Sequence, residues 1–427
     1  MKLARLLSLL ALFYGGCDPG INTTLYDPLK ANLSVSGKQF AKETYSLPFR
    51  RLFTPEKSPP GSIEAESLDV LVCNMQWEET QPMYPLPEVQ EKMEEIAIYF
   101  KEVSYDHLSL KVQYAGTGRM FVGILPNPED FSANLEAALE MCSINDEGVA
   151  VDLTSLEAFV ILPSYNLSLS RAVLRGTTTS STGTVPIPAV WVTADAFEVS
   201  TFVFKHELGH ALLGFAHANA LDCGDDAFLP ENVSATSPVG ENCQLVEYGN
   251  TKDPMGHGQG HFSAPYKEAM GWISSNTISH DGIYSLYPLE VLSSRPQLLK
   301  IEFADIGNVC IEYRRPIGYD NPYREDSGRR SSYFPPAGCL MINLCGENSV
   351  TESIITHPSI TLIDTTPNSI SSDEYGPYVD FNDACLLPLQ TFSDSNLGIS
   401  VLFYPTENEG HSYATVNLDI DETKLSE

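Results

Sequence analysis

The pattern of apolar and polar positions changes character near residue 280. Ahead of that point, helical and strand periods alternate. Leu68 to Cys73 is an apolar, β-rich run that reads as a first buried strand. Val89 to Val103 puts Met93, Ile96, Ala97 and Phe100 on one helical face, and the chain then turns into a strand up to Leu110. Phe131 to Met141 has a second helical period, and Ala158 to Pro163 is a short apolar strand. Ala189 to Val192 reads as an edge strand, with Thr177 to Thr184, rich in Ser and Thr, as a surface loop beside it. Val199, Phe202, Val203, His206, His210 and Leu213 then recur at helical spacing. Asp195 and Glu198 precede them with the spacing of a capping box, and Gly214 is the stop. Ser263 predicts the cap of a further helix running to Met270, ended by Gly271.

Beyond residue 280 only short β-like runs recur, at Ile283–Leu289, Leu298–Phe303, Val309–Arg314, Leu340–Leu344, Ile360–Ile363 and Ile399–Tyr404. Pro, Gly and Asn separate them. That spacing predicts a sandwich-like all-β domain following an α+β domain. The segment after Glu407 is acidic and reads as a frayed tail.

One stretch carries chemistry. His206-Glu207-Leu208-Gly209-His210 reads H-E-x-x-H. On a helix, residues four apart share a face one turn apart, so two imidazoles can reach one metal ion with Glu207 beside them as general base. Gly214-Phe215-Ala216-His217 places a third histidine three residues after the helix stop, where it can return to the metal. Tyr248 to Gly256, YGNTKDPMG, supplies a turn centred on Met255.

These residues resemble the metzincin zinc peptidases, whose pattern is H-E-x-x-H-x-x-G-x-x-H followed by a Met-turn. The nearer resemblance is to the gametolysin-like peptidases, in HELGHALLGFAHAN, in Tyr248 to Gly256, and in Gly260 to Glu268 with Gly271-Trp272. Val103 to Leu110 and Val309 to Asp320 are also similar. The resemblance covers roughly residues 66 to 320. It implies a metzincin-like catalytic domain, a mixed sheet plus zinc helix, with an edge strand that binds substrate by β-addition. It also implies Zn2+ held by His206, His210 and His217, Glu207 as catalytic base, and Met255 beneath the metal. His257 stands where some metzincins place a transition-state-stabilising Tyr; His261 is a lesser candidate. One feature departs from the family: three residues, Ala211, Leu212 and Leu213, separate the second His from Gly214 where the family has two. The extra residue rotates the downstream chain by about 100°. A local bulge between His210 and Gly214 is the expected remedy.

Composition narrows the setting. The chain has 427 residues, 25 Lys and Arg against 56 Asp and Glu, and a net charge of -31. Such a surface disfavours nucleic acid and anionic membranes as partners. Protein or peptide substrates are the expected partners, and a monomer is the default. Residues 1–17 read as an export signal: Lys2 and Arg5, an apolar Leu6 to Tyr14, then Gly15-Gly16-Cys17. Cys17 is either lipidated, as in a bacterial lipoprotein, which would be the protein's one tie to a membrane, or part of a simple secretion signal. The destination is the cell envelope or the medium. Residues 18–65 read as a tether or pro-segment, 66–280 as the catalytic domain, 281–407 as the β-domain and 408–427 as the tail. Setting Cys17 aside leaves eight cysteines. In an exported protein these suggest disulfides, with Cys223–Cys243 as the best pair because they bracket the loop between zinc helix and Met-turn.

The function expected is a zinc endopeptidase of extracellular or envelope proteins. Its ligand histidines must be neutral, so activity should fall in acid. The alternative is a zinc-bearing but catalytically silent binding protein that works through its β-domain.

Overall fold

The computed structural model describes residues 66–426 apart from 80–83, 123–130, 163–170, 181–182, 194–196, 198–200, 229–242, 305, 323–333, 347–359, 370–377 and 409–410. The expected export signal with Cys17, the 18–65 segment, and Asp195 with Glu198 lie outside the described residues.

The chain is a mixed α/β protein with few helices and several sheets. In chain order it begins with β1 (Glu66–Asn74), α1 (Leu86–Val103), β2 (Leu108–Ala115), α2 (Phe131–Cys142), β3 (Ala158–Leu162), β4 (Arg171–Ser180) and β5 (Gly183–Trp191). The five strands form one sheet in the order β2-β1-β3-β5-β4. β1, β2, β3 and β5 run parallel, and β4 is antiparallel to β5. Continuous apolar runs explain the parallel centre: β3, AFVIL, is buried at every position because helices cover both faces. Leu71, Cys73, Phe159 and Ile161 pack with Leu135, Ala138 and Leu139 of α2. α1 lies against the opposite face, burying Val89, Met93, Ile96, Phe100 and Val103.

Two expectations are corrected here. The edge strand is β4, not the segment holding Ala189 to Val192, which sits between β3 and β4. Thr177–Ser180 are not loop but pair with β5. Threonine's branched Cβ suits a pleated strand as well as it suits a turn, and β4 needs a partner on one side only.

The chain continues with α3 (Phe202–Leu213), β6 (Ala218–Asp222), β7 (Gln244–Val246), α4 (Ala264–Ala269), β8 (Ser275–Ile278), β9 (Gly282–Leu286), β10 (Leu298–Phe303), β11 (Gly307–Arg314), β12 (Cys339–Cys345), β13 (Ile360–Ile363), β14 (Thr391–Asp394), β15 (Ile399–Asn408) and β16 (His411–Ile420). They build a seven-stranded sheet, β7-β6-β13-β12-β11-β10-β8, and a four-stranded sheet, β14-β15-β16-β9. The two sheets share one core: Ile301, Ile311, Ile342 and Ile363 from the first meet Phe392, Val401, Phe403, Val416 and Leu418 from the second.

The larger sheet takes strands from both sides of residue 280. β6, directly after His217, pairs in parallel with β13. Residues 411–420 are likewise not a frayed end but β16, bonded to β15 on one side and β9 on the other. Ala414, Val416, Leu418 and Ile420 are buried while Thr415, Asn417 and Asp419 alternate outward, so period-two burial overrides the acidic composition. Disulfides join Cys73–Cys142, Cys223–Cys243, Cys310–Cys345 and Cys339–Cys385. Cys223–Cys243 is the pair expected from the sequence. Among the described residues no helix is long and apolar enough to cross a membrane.

Candidate metal centre

α3 is buried along most of its length and rests on the first sheet, so it is an interior helix rather than an amphipathic surface one. It starts after Thr201, whose hydroxyl donates to Glu95 Oε1 of α1 (2.8 Å) instead of capping the helix. It ends at Gly214, which adopts the left-handed conformation, φ 66° and ψ 21°, that glycine tolerates best.

The cap at Gly214 departs from the common glycine ending of a helix. The Gly214 N–H bonds to the carbonyls of both His210 and Gly209, and the Phe215 N–H bonds to Gly209 O at 3.2 Å. In a Schellman ending, with Gly214 as the left-handed residue, those donors would reach Ala211 and His210. Each bond here reaches further back along the helix. The closing turn from Gly214 onward is therefore widened, in place of the bulge expected before Gly214, while Phe202–Leu213 is α-helix throughout.

His206, His210 and His217 come together, and among the described residues they are the one such group: a ligand atom from each lies within 4.8 Å of the others. Each ring is held through Nδ1. His206 Nδ1 meets Pro254 O at 2.7 Å and His210 Nδ1 meets Phe215 O at 2.6 Å. A carbonyl only accepts, so in both rings Nδ1 carries the proton and Nε2 keeps its lone pair. His217 Nδ1 meets Glu247 Oε1 at 2.9 Å. The hydrogen bond from His217 holds the Glu247 carboxyl below its usual range, so it too is an acceptor. In all three rings Nδ1 is engaged by an acceptor, which leaves Nε2 as the atom each ring can offer a metal.

Burial, followed by the His217 ring, pushes the His206 pKa down to about 4. Burial and the two neighbouring histidines push His210 well below the ordinary imidazole value. The Nε2 atoms of His206 and His210 lie 3.1 Å apart, lone pair facing lone pair. Two imidazoles on a tetrahedral Zn2+ at about 2.0–2.1 Å would hold their nitrogens roughly 3.4 Å apart. The donor set therefore fits such an ion.

Comparison of the chain with family models, curated proteins and solved structures finds no match.

Glu207 lies beside the triad on the same helix and is 8% exposed. Met255 is fully buried beneath that helix: a Cβ placed on Gly209 would stand 2.5 Å from Met255 Sδ. Gly209, between the two helical histidines, is what lets the methionine approach. The turn carrying Met255 is pinned by Asp253, whose carboxylate accepts the Met255 N–H (2.7 Å) and the Ser263 N–H (2.6 Å). The turn is also tied to β6 by Ala218 N–H to Met255 O at 2.9 Å.

His257 is not one of the clustered histidines. Its ring stacks on Tyr378, 4.6 Å between centroids, and faces Phe202. His261 is buried away from the triad, between Glu102 Oε1 at 3.3 Å and Lys267 Nζ at 2.8 Å. Two site residues escaped the sequence. Glu247 is one of 56 acidic residues and had no motif to mark it. Tyr248 packs its ring 4.2 Å from that of His217 and 5.6 Å from that of His206.

Proposed function

We propose that the protein is an exported zinc endopeptidase of the metzincin, gametolysin-like kind, acting on extracellular or cell-envelope proteins. The observation that carries this reading is the convergence of His206, His210 and His217, each with Nδ1 engaged and Nε2 turned to a common point, beside Glu207 on the H-E-x-x-H helix. Those three residues would hold Zn2+, which when bound supplies Lewis acidity toward a peptide carbonyl and a more acidic water. Glu207 takes the water's proton and returns it to the leaving amine nitrogen. The Met255 floor keeps the two helical ligands in register. β4 ends its sheet among the described residues, close to α3, and its outer side is where an extended substrate would add as a further strand.

Purified protein should hold about one zinc per chain and cleave a mixed peptide library. Chelator should stop the cleavage and Glu207→Gln should abolish it while keeping the metal. Cleavage that survives chelator, or that survives Glu207→Gln, would refute the proposal. A metal-bound protein that cleaves nothing would instead be the silent binding protein.

A further inference from the structure

His206 and His210 are aimed by the helix that carries them, but His217 is not. It follows the left-handed Gly214 on an irregular exit, and its side chain is 27% exposed. Its ring must be aimed from outside. β6 begins at the next residue and pairs antiparallel with β7 through Ala220–Val246, Leu221–Leu245 and Asp222–Gln244. The open end of this ladder is closed by the Cys223–Cys243 disulfide, one residue beyond the last pair on each strand.

At the other end, β7 runs into a tight turn in which the Gly249 N–H returns to Val246 O at 3.0 Å. Glu247 and Tyr248 are its central residues. Tyr248 has φ 62°, a conformation that costs a side chain about 1 kcal/mol or more and that persists where surroundings enforce it. Its N–H is fixed to Asn219 Oδ1 at 3.1 Å. This backbone brings both side chains onto one ring: the Glu247 carboxylate takes the His217 Nδ1–H, and the Tyr248 ring lies against the imidazole.

We propose that Glu247 and Tyr248 are positioning residues that orient the third ligand, and that the Cys223–Cys243 disulfide sets the metal affinity by holding them in place. The inference rests on the metal-binding reading of the triad and not on peptide cleavage. A carboxylate behind a ligand histidine fixes its tautomer and raises its basicity, and its loss typically lowers metal affinity 10–100-fold. Without the staple, β7 is a strand of three residues at the sheet's edge. Its turn then loses its register against His217.

The test is zinc affinity of the full chain, measured by competition with a chromophoric chelator, alongside the visible spectrum of the Co2+ form. Glu247→Ala should weaken zinc about 10–100-fold and alter the Co2+ spectrum, while Glu247→Gln, which keeps an acceptor oxygen, should recover much of the affinity. Cys223→Ser with Cys243→Ser should weaken zinc too, and adding Glu247→Ala to that background should cost little more. Wild-type affinity in Glu247→Ala would overturn the proposal. So would a Glu247→Ala effect equally large with and without the disulfide, or no metal binding by the triad at all. A protein that behaves as expected here and cleaves no peptide would sink the peptidase reading and leave this one standing.

Discussion

Gly209→Ala sets two known effects against each other. In a helix interior, alanine is favoured over glycine by about 1 kcal/mol, so the change alone should stabilise α3. The new methyl, however, would sit 2.5 Å from Met255 Sδ and 3.4 Å from Phe262 Cε1. Ordinary contact lies at about 3.5–4.0 Å, so the sulfur must retreat by roughly 1 Å. It has little room: Met255 is fully buried, and both its N–H and its carbonyl are bonded. Overpacking of this kind costs about 1–3 kcal/mol, giving a net loss near 1 kcal/mol. Met255→Ala alone should cost about 2–5 kcal/mol through its cavity. In the double variant the clash is gone and the helix gain returns. The two changes should therefore couple by about 1–3 kcal/mol. Denaturant unfolding of the two single variants and the double variant reads this directly. If Gly209→Ala has the same effect with and without Met255, the methionine does not press on the helix and the account of the floor is wrong.

Two further expectations concern buried charge. Asp253→Asn leaves one oxygen where the carboxylate serves both Met255 N–H and Ser263 N–H, and turns an NH2 toward a donor. A loss of about 2–4 kcal/mol in unfolding free energy is expected, together with weaker metal binding; unchanged stability would contradict the pinned turn. Burial lowers the Lys267 pKa to about 7, so between pH 7 and its ordinary value the unfolded chain binds the extra proton. Stability should rise with pH across that window, by at most about 5 kcal/mol from this group. Lys267→Met should flatten the rise in a series of denaturant melts; an unaltered slope would mean the lysine is charged in the fold.

How far the sequence disclosed this protein depends on how local each feature is. The pairing of His206 with His210 follows from helical period alone. Gly214 marked the stop because a left-handed residue leaves a compositional trace. Cys223 and Cys243 were readable as partners since they flank one loop, whereas the other three pairs join distant segments. What was misread depends on long-range pairing. β4 looked like a loop because Thr, Ser and Gly serve turns and strands alike. β16 hid its alternation because its outward residues, Thr415, Asn417 and Asp419, are polar and the segment around them is acidic. Nothing in residues 218–222 announces a bond to 360–363, so the seam expected near 280 falls where one sheet draws from both sides. Glu247 reaches His217 through a hairpin that local pattern could not foresee.

That seam has a consequence for the order in which the protein is made. Strand β6 lies between β7 and β13, and β13 is Ile360–Ile363. A chain synthesised from its N-terminus has formed the H-E-x-x-H segment long before those residues exist. Helices form locally and fast, while pairings across such a separation come late. The two helical histidines and the β6–β7 hairpin can be in place early, but β6 gains its second neighbour only when the far strand arrives. A nascent or truncated chain therefore carries the motif before the sheet beside it is complete. Completion of the sheet beside the histidine triad waits on synthesis of Ile360–Ile363.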